Sequence, residues 1–378
     1  MAVTRRLLAV CTGAVLCICV RADVLPEDRA DVLYHSYDGG GVKVTGPSIL
    51  VRKGDNKTFS VSGNYYTDSI SSASIDVVSQ GSPYSESRVQ KSLSVDYLHA
   101  DTKMTLGYTN SDESDYKADT ANFSISQSMF GDLTTVTLGY ARGWDEVSKN
   151  RDTTFGTRNV DRRNYQVGLS QILTKNLLLT LNYEVVEDEG FLNNPYRSVR
   201  YLASPTTTGS QPEVYPRTHT SNAVAANFRY YLPYGAAVGL GYRYYTDDWS
   251  VDAHTAELNY TQRFRDRWTL ELDYRYYTQS DADFYSDLFP RPDAQNFLAR
   301  DKELSRFSDQ SAGISLSYEF LHDGWGFIEK ATASLAYRRL WFKYDNFRDT
   351  TVTGVVPGTE PLYEFQADVI QAYLSVWY

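Results

Sequence analysis

Apolar and polar residues alternate along most of the chain. In Trp268–Tyr277, the residues Trp268, Leu270, Leu272, Tyr274 and Tyr276 share one face, and the intervening positions are mostly polar or charged. A period of two is typical of a β-strand with one apolar face. The pattern recurs in Leu93–Tyr97, Met104–Tyr108, Phe123–Ser126, Val136–Tyr140, Tyr165–Leu169, Leu177–Tyr183, Val224–Tyr230, Val238–Tyr244, Ala256–Tyr260, Ile314–Phe320 and Leu335–Tyr337. Evenly spread segments with no helical pattern between them predict an all-β chain, and favour a transmembrane antiparallel β-barrel over a soluble sandwich.

The connections between these strands fall into two classes. Short polar links with Gly, Asn and Asp occur at 54–56, 99–102, 131–132, 174–176, 233–235, 265–267 and 322–326. The intervening links, 68–88, 144–160, 188–220, 279–308 and 345–362, are longer, although 111–117 and 247–251 are short. Barrels place short turns in the periplasm and long loops outside the cell, so the alternation predicts the orientation.

The number of strands depends on the beginning of the chain. Fifteen strands follow from Val42 onward, and single-chain bacterial barrels normally have an even number. Asp31–Asp38 supplies a first strand turned back by Gly39–Gly41, which gives sixteen, the favoured number. If residues 23–51 instead form a periplasmic or lumenal segment, the barrel has fourteen strands.

The last segment predicts a closing strand. Leu374, Val376 and Tyr378 share an apolar face and end on an aromatic residue, as the closing strand of outer-membrane barrels does. In that class of protein the strand is the signal that the barrel-assembly machinery reads, so these three residues are the expected assembly signal. Tyr is also abundant, with 31 residues, and many of them end an apolar alternation, which favours an aromatic girdle.

The N-terminus predicts export. Arg5 and Arg6 precede the short apolar run Leu7–Val20, and Ala22 is the expected cleavage point, so residues 1–22 form a signal peptide and residues 23–378 the barrel. All three cysteines lie inside that peptide, which excludes disulfides, thiolate metal sites and attached haem in the mature chain.

The charge bears on possible partners. Removing the three arginines of the signal peptide leaves 34 basic against 47 acidic residues, a formal charge of −13. Such a balance argues against nucleic acid as a partner. It is compatible with a surface that meets lipid and anionic lipopolysaccharide through divalent cations. A periplasmic partner is left open.

Several blocks carry a more specific resemblance. They are LPEDRADVLYHSYDGGG (Leu25–Gly41), GPSILVRK (Gly46–Lys53), SSASIDVV (Ser71–Val78), LGYTNSDESDYKA (Leu106–Ala118), SQILTKN (Ser170–Asn176), EGFLNNPYRSVRYL (Glu189–Leu202), QPEVYPRTHTSNAVA (Gln211–Ala225), RYYTQSDADFYSDLFPRPDAQNFLARDKELS (Arg275–Ser305) and LSVWY (Leu374–Tyr378). Together they resemble a family of proteobacterial outer-membrane barrels of unknown function, over nearly the whole mature chain. The resemblance implies the fold and the outer-membrane location, and it implies no reaction. The loops 189–220 and 279–308 are rich in Tyr, Phe, Pro and Arg, so we expect them to be ordered.

The residues offer little catalytic chemistry. No pair of the five histidines has metal-ligand spacing, and no cofactor motif is present, so neither metal nor cofactor is predicted. Asp252 and His254, with Asp281 and Asp283, fall near the outer ends of adjacent predicted strands. They resemble the Asp-x-His and Asp-x-Asp pairs of omptin proteases only in these short motifs, and a solvated rim is the favoured interpretation.

The inward face of the strands carries both signs of charge. By phase, the predicted lumen-lining residues are Asp96, Lys103, Arg229, Arg243, Glu257, Glu271, Asp273, Arg275, Glu319 and Arg338. They fit either a wet pore or an interior filled by ion pairs. The favoured hypothesis is a channel or transport conduit without catalysis. The alternatives are a hydrolase at the outer rim and a plugged barrel that binds a partner.

Overall fold

The structure is a closed barrel of sixteen antiparallel strands with a two-stranded hairpin inserted in one loop. It is a computed structural model that describes residues 24–55, 57–72 and 84–378. The strands are β1 (Arg29–Gly39), β2 (Val42–Gly54), β3 (Phe59–Ser72), β4 (Tyr84–His99), β5 (Thr102–Asp112), β6 (Tyr116–Met129), β7 (Thr134–Val147), β8 (Arg158–Thr174), β9 (Leu177–Gly190), β10 (Ser198–Ser204), β11 (Thr207–Pro212), β12 (Thr218–Leu232), β13 (Ala236–Asp247), β14 (Asp252–Phe264), β15 (Trp268–Gln279), β16 (Phe307–Leu321), β17 (Lys330–Arg348) and β18 (Leu362–Trp377). One 3₁₀ turn, Lys302–Leu304, lies between β15 and β16.

The barrel closes between its first and last strands. β1 pairs with β18 from Arg29 opposite Trp377 to Gly39 opposite Ala367. The same strand pairs with β2 over its whole length. Each other barrel strand pairs with its sequence neighbours, except that β9 pairs with β12, because β10 and β11 form the separate hairpin.

The two ends of the barrel differ. Short connections gather at one end, which we call the turn end, and the longer ones at the other, which we call the loop end. Turns such as 129–134 are closed by residues of positive φ, here Phe130, Gly131 and Asp132. By the rule that barrels keep their short turns in the periplasm, we expect the loop end to face outward from the cell.

The outer face of the barrel is apolar and carries two bands of aromatic residues. Near the loop end, rings at the edge of the apolar band point a hydroxyl toward a polar neighbour on the same face. Such pairs are Tyr108 with Asp119, Tyr183 with Asn222, Tyr244 with Asp252, Tyr274 with Gln310 and Tyr337 with Asp368. Near the turn end, the second band includes Phe59, Tyr230, Tyr234, Phe264, Trp325 and Phe327. A ring with a polar tip suits the boundary between hydrocarbon and headgroups, so the bands mark the membrane boundaries.

The strand count of sixteen is confirmed, and the segment Asp31–Asp38 forms the core of β1 as the sequence predicts. The strands at the loop end are longer than predicted, since β3 continues to Ser72 and β4 begins at Tyr84. The β10–β11 hairpin inside the loop 189–220 was not predicted. The predicted signal peptide, residues 1–22, lies outside the described residues.

Within the part of the chain that the structure describes, no helix is long and apolar enough to cross a membrane.

Candidate functional site

The inner wall of the barrel carries all ten of the predicted lumen residues. Each lies on the strand face opposite the exposed apolar side chains, as Arg243 does between the outward Tyr242 and Tyr244. The ten are Asp96, Lys103, Arg229, Arg243, Glu257, Glu271, Asp273, Arg275, Glu319 and Arg338. Whether they tune the passage of a solute stays a prediction.

The ion pairs of this wall run along it. Arg338 Nη2 lies 2.9 Å from Asp273 Oδ2, and Arg275 Nη1 lies 2.7 Å from Asp309 Oδ1. A looser pair joins Arg243 to Glu184 at 3.6 Å. Each pair joins strands that are adjacent or two positions apart in the sheet. These three pairs therefore lie flat against the wall.

Inward-facing glycines give the wall its flatness. A Cβ on Gly241 would lie 2.7 Å from Oδ1 of Asn227, and one on Gly107 would lie 2.5 Å from Oδ1 of Asn122. In each case the polar residue is the direct cross-strand partner of the glycine. The same arrangement holds for Gly139 with Gln166, Gly168 with Asn182 and Gly313 with Asp273. These polar side chains lie over the glycine of the neighbouring strand, so less of their length extends toward the middle of the lumen.

Solvent reaches this part of the lumen. Gln166, Asn227, Glu257 and Glu271 all lie on the inner face, and all four are exposed. Exposed polar groups on an inward face indicate that water enters the barrel, as it does in wide barrels.

The loop end is covered by three interlocked loops, 191–217, 280–306 and 349–361, which we call the cap. Backbone hydrogen bonds join the first two, from Val214 N to Leu298 O at 2.9 Å and from Leu298 N to Val214 O at 2.7 Å. A second contact runs from Leu202 N to Phe289 O at 2.9 Å. The two long loops expected to be ordered thus hold each other through main-chain groups, which local sequence alone could not specify.

Buried ion pairs fasten the cap. Asp287 accepts hydrogen bonds from both Arg200 and Arg300, and Arg300 Nη2 lies 2.9 Å from its Oδ1. Arg200 also pairs with Glu360 at 2.5 Å, which brings in the third loop. The Arg300 guanidinium lies 4.4 Å from the ring centroid of Phe347, and both residues are fully or nearly fully buried. Charges that are buried and paired in this way destabilise the protein strongly when one partner is removed.

Beneath the ion pairs, an apolar core fills one side of the barrel mouth. It joins cap residues such as Phe284 and Ala299 to inward residues of β16 to β18, including Leu340, Phe342 and Val369. Inward residues of β1 to β3, namely Tyr37, Val42, Val44 and Ile70, belong to the same cluster. The cap is therefore packed into the mouth on this side and narrows it.

The opposite wall of the mouth is polar. Arg162 Nε lies 2.8 Å from Asp145 Oδ2, and His219 Nε2 lies 2.9 Å from Asp247 Oδ2. Asp188 lies between the two pairs, 3.8 Å from each of Arg162 and His219. This chain of charges runs across strands β7 to β13 beside the cap, so the two sides of the mouth differ in chemistry.

A cluster of three carboxylates lies at the loop end between the apolar core and the polar wall, on β4 and the β5–β6 turn. Glu86 comes from β4, and Glu113 and Asp115 come from the turn between β5 and β6. One carboxylate oxygen of each lies within 4.8 Å of those of the other two. Burial raises the pKa of Glu113 to about 7 and that of Asp115 to about 6. The cluster could not be predicted from the sequence, because Glu86 and the other two carboxylates come from separate elements.

The residues resembling the omptin pairs are not brought together. Asp252 and His254 lie on the outer face of β14, where Tyr244 donates to Asp252 at 2.7 Å and the Tyr242 hydroxyl contacts His254 Nδ1 at 2.7 Å. They are part of the aromatic band. Asp281 and Asp283 lie in the predicted loop just after β15, which ends at Gln279, and Asp281 pairs with Arg306 at 2.9 Å.

The three predicted assembly-signal residues lie on the outer side of the closing strand. Leu374 is exposed to the surroundings of the barrel, and Val376 follows on the same face. The Tyr378 hydroxyl donates to the Arg52 carbonyl at 3.0 Å, which ties the end of the chain to β2. Their reading by the assembly machinery stays a prediction.

Comparison with known protein families places this barrel. A family model described as a protein of unknown function, DUF3570, matches residues 29–327. The chain belongs to this family. The match confirms the resemblance to an uncharacterised barrel family, and it covers β1 to β16. No curated protein matches the DUF3570 chain.

Solved structures similar to the DUF3570 chain are outer-membrane barrels. A bacterial polysaccharide outer-membrane secretin superposes with a TM-score of 0.50 at 8% identity, covering 93% of this chain and 99% of that one. OmpT, an outer-membrane protein of Vibrio cholerae, gives a TM-score of 0.45 at 11% identity and covers 94% and 100%. The siderophore receptor PirA of Acinetobacter baumannii gives 0.44 at 13% identity and covers 93% and 60%. The first likeness concerns the fold. The chain is an outer-membrane β-barrel.

Proposed function

We propose that the protein is a passage for small polar solutes across the outer membrane, narrowed at its loop end by the cap. The inward glycines carry this proposal. They let polar side chains such as Asn227 lie against the wall, and solvent reaches inward groups such as Glu257. An interior built only to hold the barrel together would fill that space with side chains.

The charges of the wall fit a passage of low ion selectivity. The ten predicted inward charged residues divide equally between acids and bases, so these ten do not form a ring of one sign. Charge rings of one sign are how channels select cations or anions. Small neutral or zwitterionic solutes fit this wall better than strongly charged ones.

The cap then decides how much passes. A solute entering from the loop end has the apolar core on one side and the polar wall of Arg162, Asp188 and His219 on the other. Arg162 keeps 32% of its side chain exposed there, so a hydrated solute should lose less hydration on that side than beside the apolar core. Loosening the cap should widen this route.

The test is conductance of the purified protein in planar lipid bilayers. The wild type should give stable but small currents. Asp287→Ala removes the acceptor of two buried arginines, so it should give larger currents or more frequent openings. Asp283→Ala is the matched control, because it removes the same charge from an exposed position of the same loop. It should conduct like the wild type.

Two results would reject the proposal. If neither the wild type nor Asp287→Ala conducts at high protein load, the barrel is plugged and serves as a structural or partner-binding element. If Asp283→Ala raises the current as much as Asp287→Ala, the cap does not control the passage. A surface hydrolase has no support from the geometry of Asp252 and His254.

A further inference from the structure

We infer that Glu86, Glu113 and Asp115 form a calcium site at the loop end of the barrel. Two of the three carboxylates are deeply buried, Asp115 with 3% and Glu113 with 9% of its surface exposed. One oxygen of each of the three lies within 4.8 Å of the others. The inference does not depend on the proposed passage.

The buried carboxylates have oxygens left over. Among the residues that the structure describes, none makes a hydrogen bond to Glu113 Oε2 or to Asp115 Oδ1. The other oxygen of Asp115 accepts from the Tyr196 hydroxyl. Leaving a buried carboxylate oxygen without a partner is unfavourable, and a cation bound by the three carboxylates would supply that partner.

No residue that the structure describes forms an ion pair with these three carboxylates. Arg88 acts on Glu113 from nearby, yet its guanidinium is bound to Asp68, with Nη2 and Oδ2 2.5 Å apart. Ser114 donates both its amide, at 3.1 Å, and its hydroxyl to Glu86 Oε1. Those neutral donors orient Glu86 without balancing the three negative charges.

Calcium fits this set of donors better than other common metals. Ca²⁺ binds oxygen at about 2.3–2.6 Å with flexible geometry, so one ion can reach three oxygens that lie within 4.8 Å of one another. Mg²⁺ binds at about 2.0–2.1 Å and demands stricter octahedral geometry. Zn²⁺ favours nitrogen and sulfur ligands, which the cluster does not offer.

The site would join four parts of the loop end. Glu86 comes from β4, and Glu113 and Asp115 from the β5–β6 turn. Tyr196, in the first cap loop, reaches Asp115 and accepts a hydrogen bond from the Asn150 amide at 2.8 Å. A calcium ion would therefore tie the first cap loop to β4 and to the β5–β6 turn.

The experiment measures terbium luminescence on the refolded, lipopolysaccharide-free full chain in detergent, with calcium as competitor. Tyr196 lies beside the cluster and can sensitise the lanthanide. We expect one site per chain, with a calcium dissociation constant of roughly 0.1–1 mM, as in extracellular calcium modules. The double substitution Glu113→Gln, Asp115→Asn should weaken binding at least tenfold.

Asp112→Asn is the matched control, since it removes an exposed carboxylate from the same turn. It should bind like the wild type. If the double variant loses its heat-modifiable migration and is therefore unfolded, Glu86→Gln takes its place and should weaken binding about tenfold. The site is rejected if the wild type shows no saturable binding, if the folded double variant or Glu86→Gln binds like the wild type, or if Asp112→Asn loses binding to the same extent.

Discussion

The flat wall of the lumen can be tested at Gly313. A Cβ on this residue would overlap Oδ1 of Asp273, which holds Arg338 through its other oxygen at 2.9 Å. Alanine at 313 must therefore push the carboxylate off its favoured rotamer, at about 0.5–1.5 kcal/mol. It also weakens an ion pair whose side chains are 25% and 26% exposed, worth about 0.2–1 kcal/mol.

An opposite effect makes the test sharp. Replacing a strand glycine by alanine stabilises the strand by about 0.5–1 kcal/mol when there is room. Gly313→Ala alone should thus be neutral or destabilising, by up to about 2 kcal/mol. In an Asp273→Ala background the same change should stabilise the barrel, because nothing remains to collide with. The coupling between the two sites should be about 0.7–2.5 kcal/mol.

The assay is reversible urea unfolding in phospholipid vesicles, followed by tryptophan fluorescence, for the two single variants and the double variant. Gly63 provides the control cycle, since the nearest atom to its added Cβ is Ser92 O at 4.0 Å. Gly63→Ala and Asp273→Ala should add within about 0.5 kcal/mol. A coupling energy below about 0.5 kcal/mol between Gly313 and Asp273 would refute the proposed steric conflict between a Cβ at position 313 and the Asp273 carboxylate.

Three further predictions concern the rest of the molecule. Leu374→Arg should destabilise the barrel by roughly 2–4 kcal/mol at the membrane midplane and deplete it from the outer membrane. Ser375→Arg, on the inward face, should deplete it less. Cell fractionation and heat-modifiable migration compare the two variants, and equal depletion would contradict the assignment of faces. A protease site inserted at 206–209 should be cleaved on intact cells and one inserted after Asp55 only after the outer membrane is opened; the reverse pattern would invert the orientation. Burial raises the pKa of Glu213 to about 7, so folding of the cap favours its protonated form. The protease resistance of the cap should therefore fall as the pH rises from below the pKa of an ordinary Glu side chain through 7. Glu213→Gln should remove that part of the pH dependence.

The sequence predicts the barrel well because lipid imposes a simple rule on it. Every second residue of a strand faces hydrocarbon, so the apolar phase of segments such as Trp268–Tyr277 directly identifies the outer face. The inward phase of Arg275 and Arg338 then follows without further knowledge. The first strand is predictable for the same reason, since Asp31–Asp38 needs only a partner on each side to complete the ring.

The loop end escapes such reasoning. The cap depends on contacts between residues far apart in sequence, such as Arg200 with Glu360, and no periodicity reports them. The end of β15 at Gln279 agrees with the predicted loop 279–308, but the position of Asp281 beside Arg306 depends on the fold of that loop, which no periodicity reports. The proximity of Glu86 to Glu113 could not be predicted for a similar reason, since the sequence pattern does not specify which residues of β4 lie beside the β5–β6 turn.

The barrel closes only when β18 pairs with both β1 and β17. Until β18 is in place, both β1 and β17 present a full row of unpaired backbone donors and acceptors, 11 and 19 residues long. Open edges of that length pair readily with other chains. A chain that ends before Leu362 therefore leaves an open sheet with two unpaired edge strands. We expect such sheets to associate, with a strand of one molecule pairing to the open edge of another. The pairing of β1 with β18 is thus the step that removes both open edges and completes the barrel.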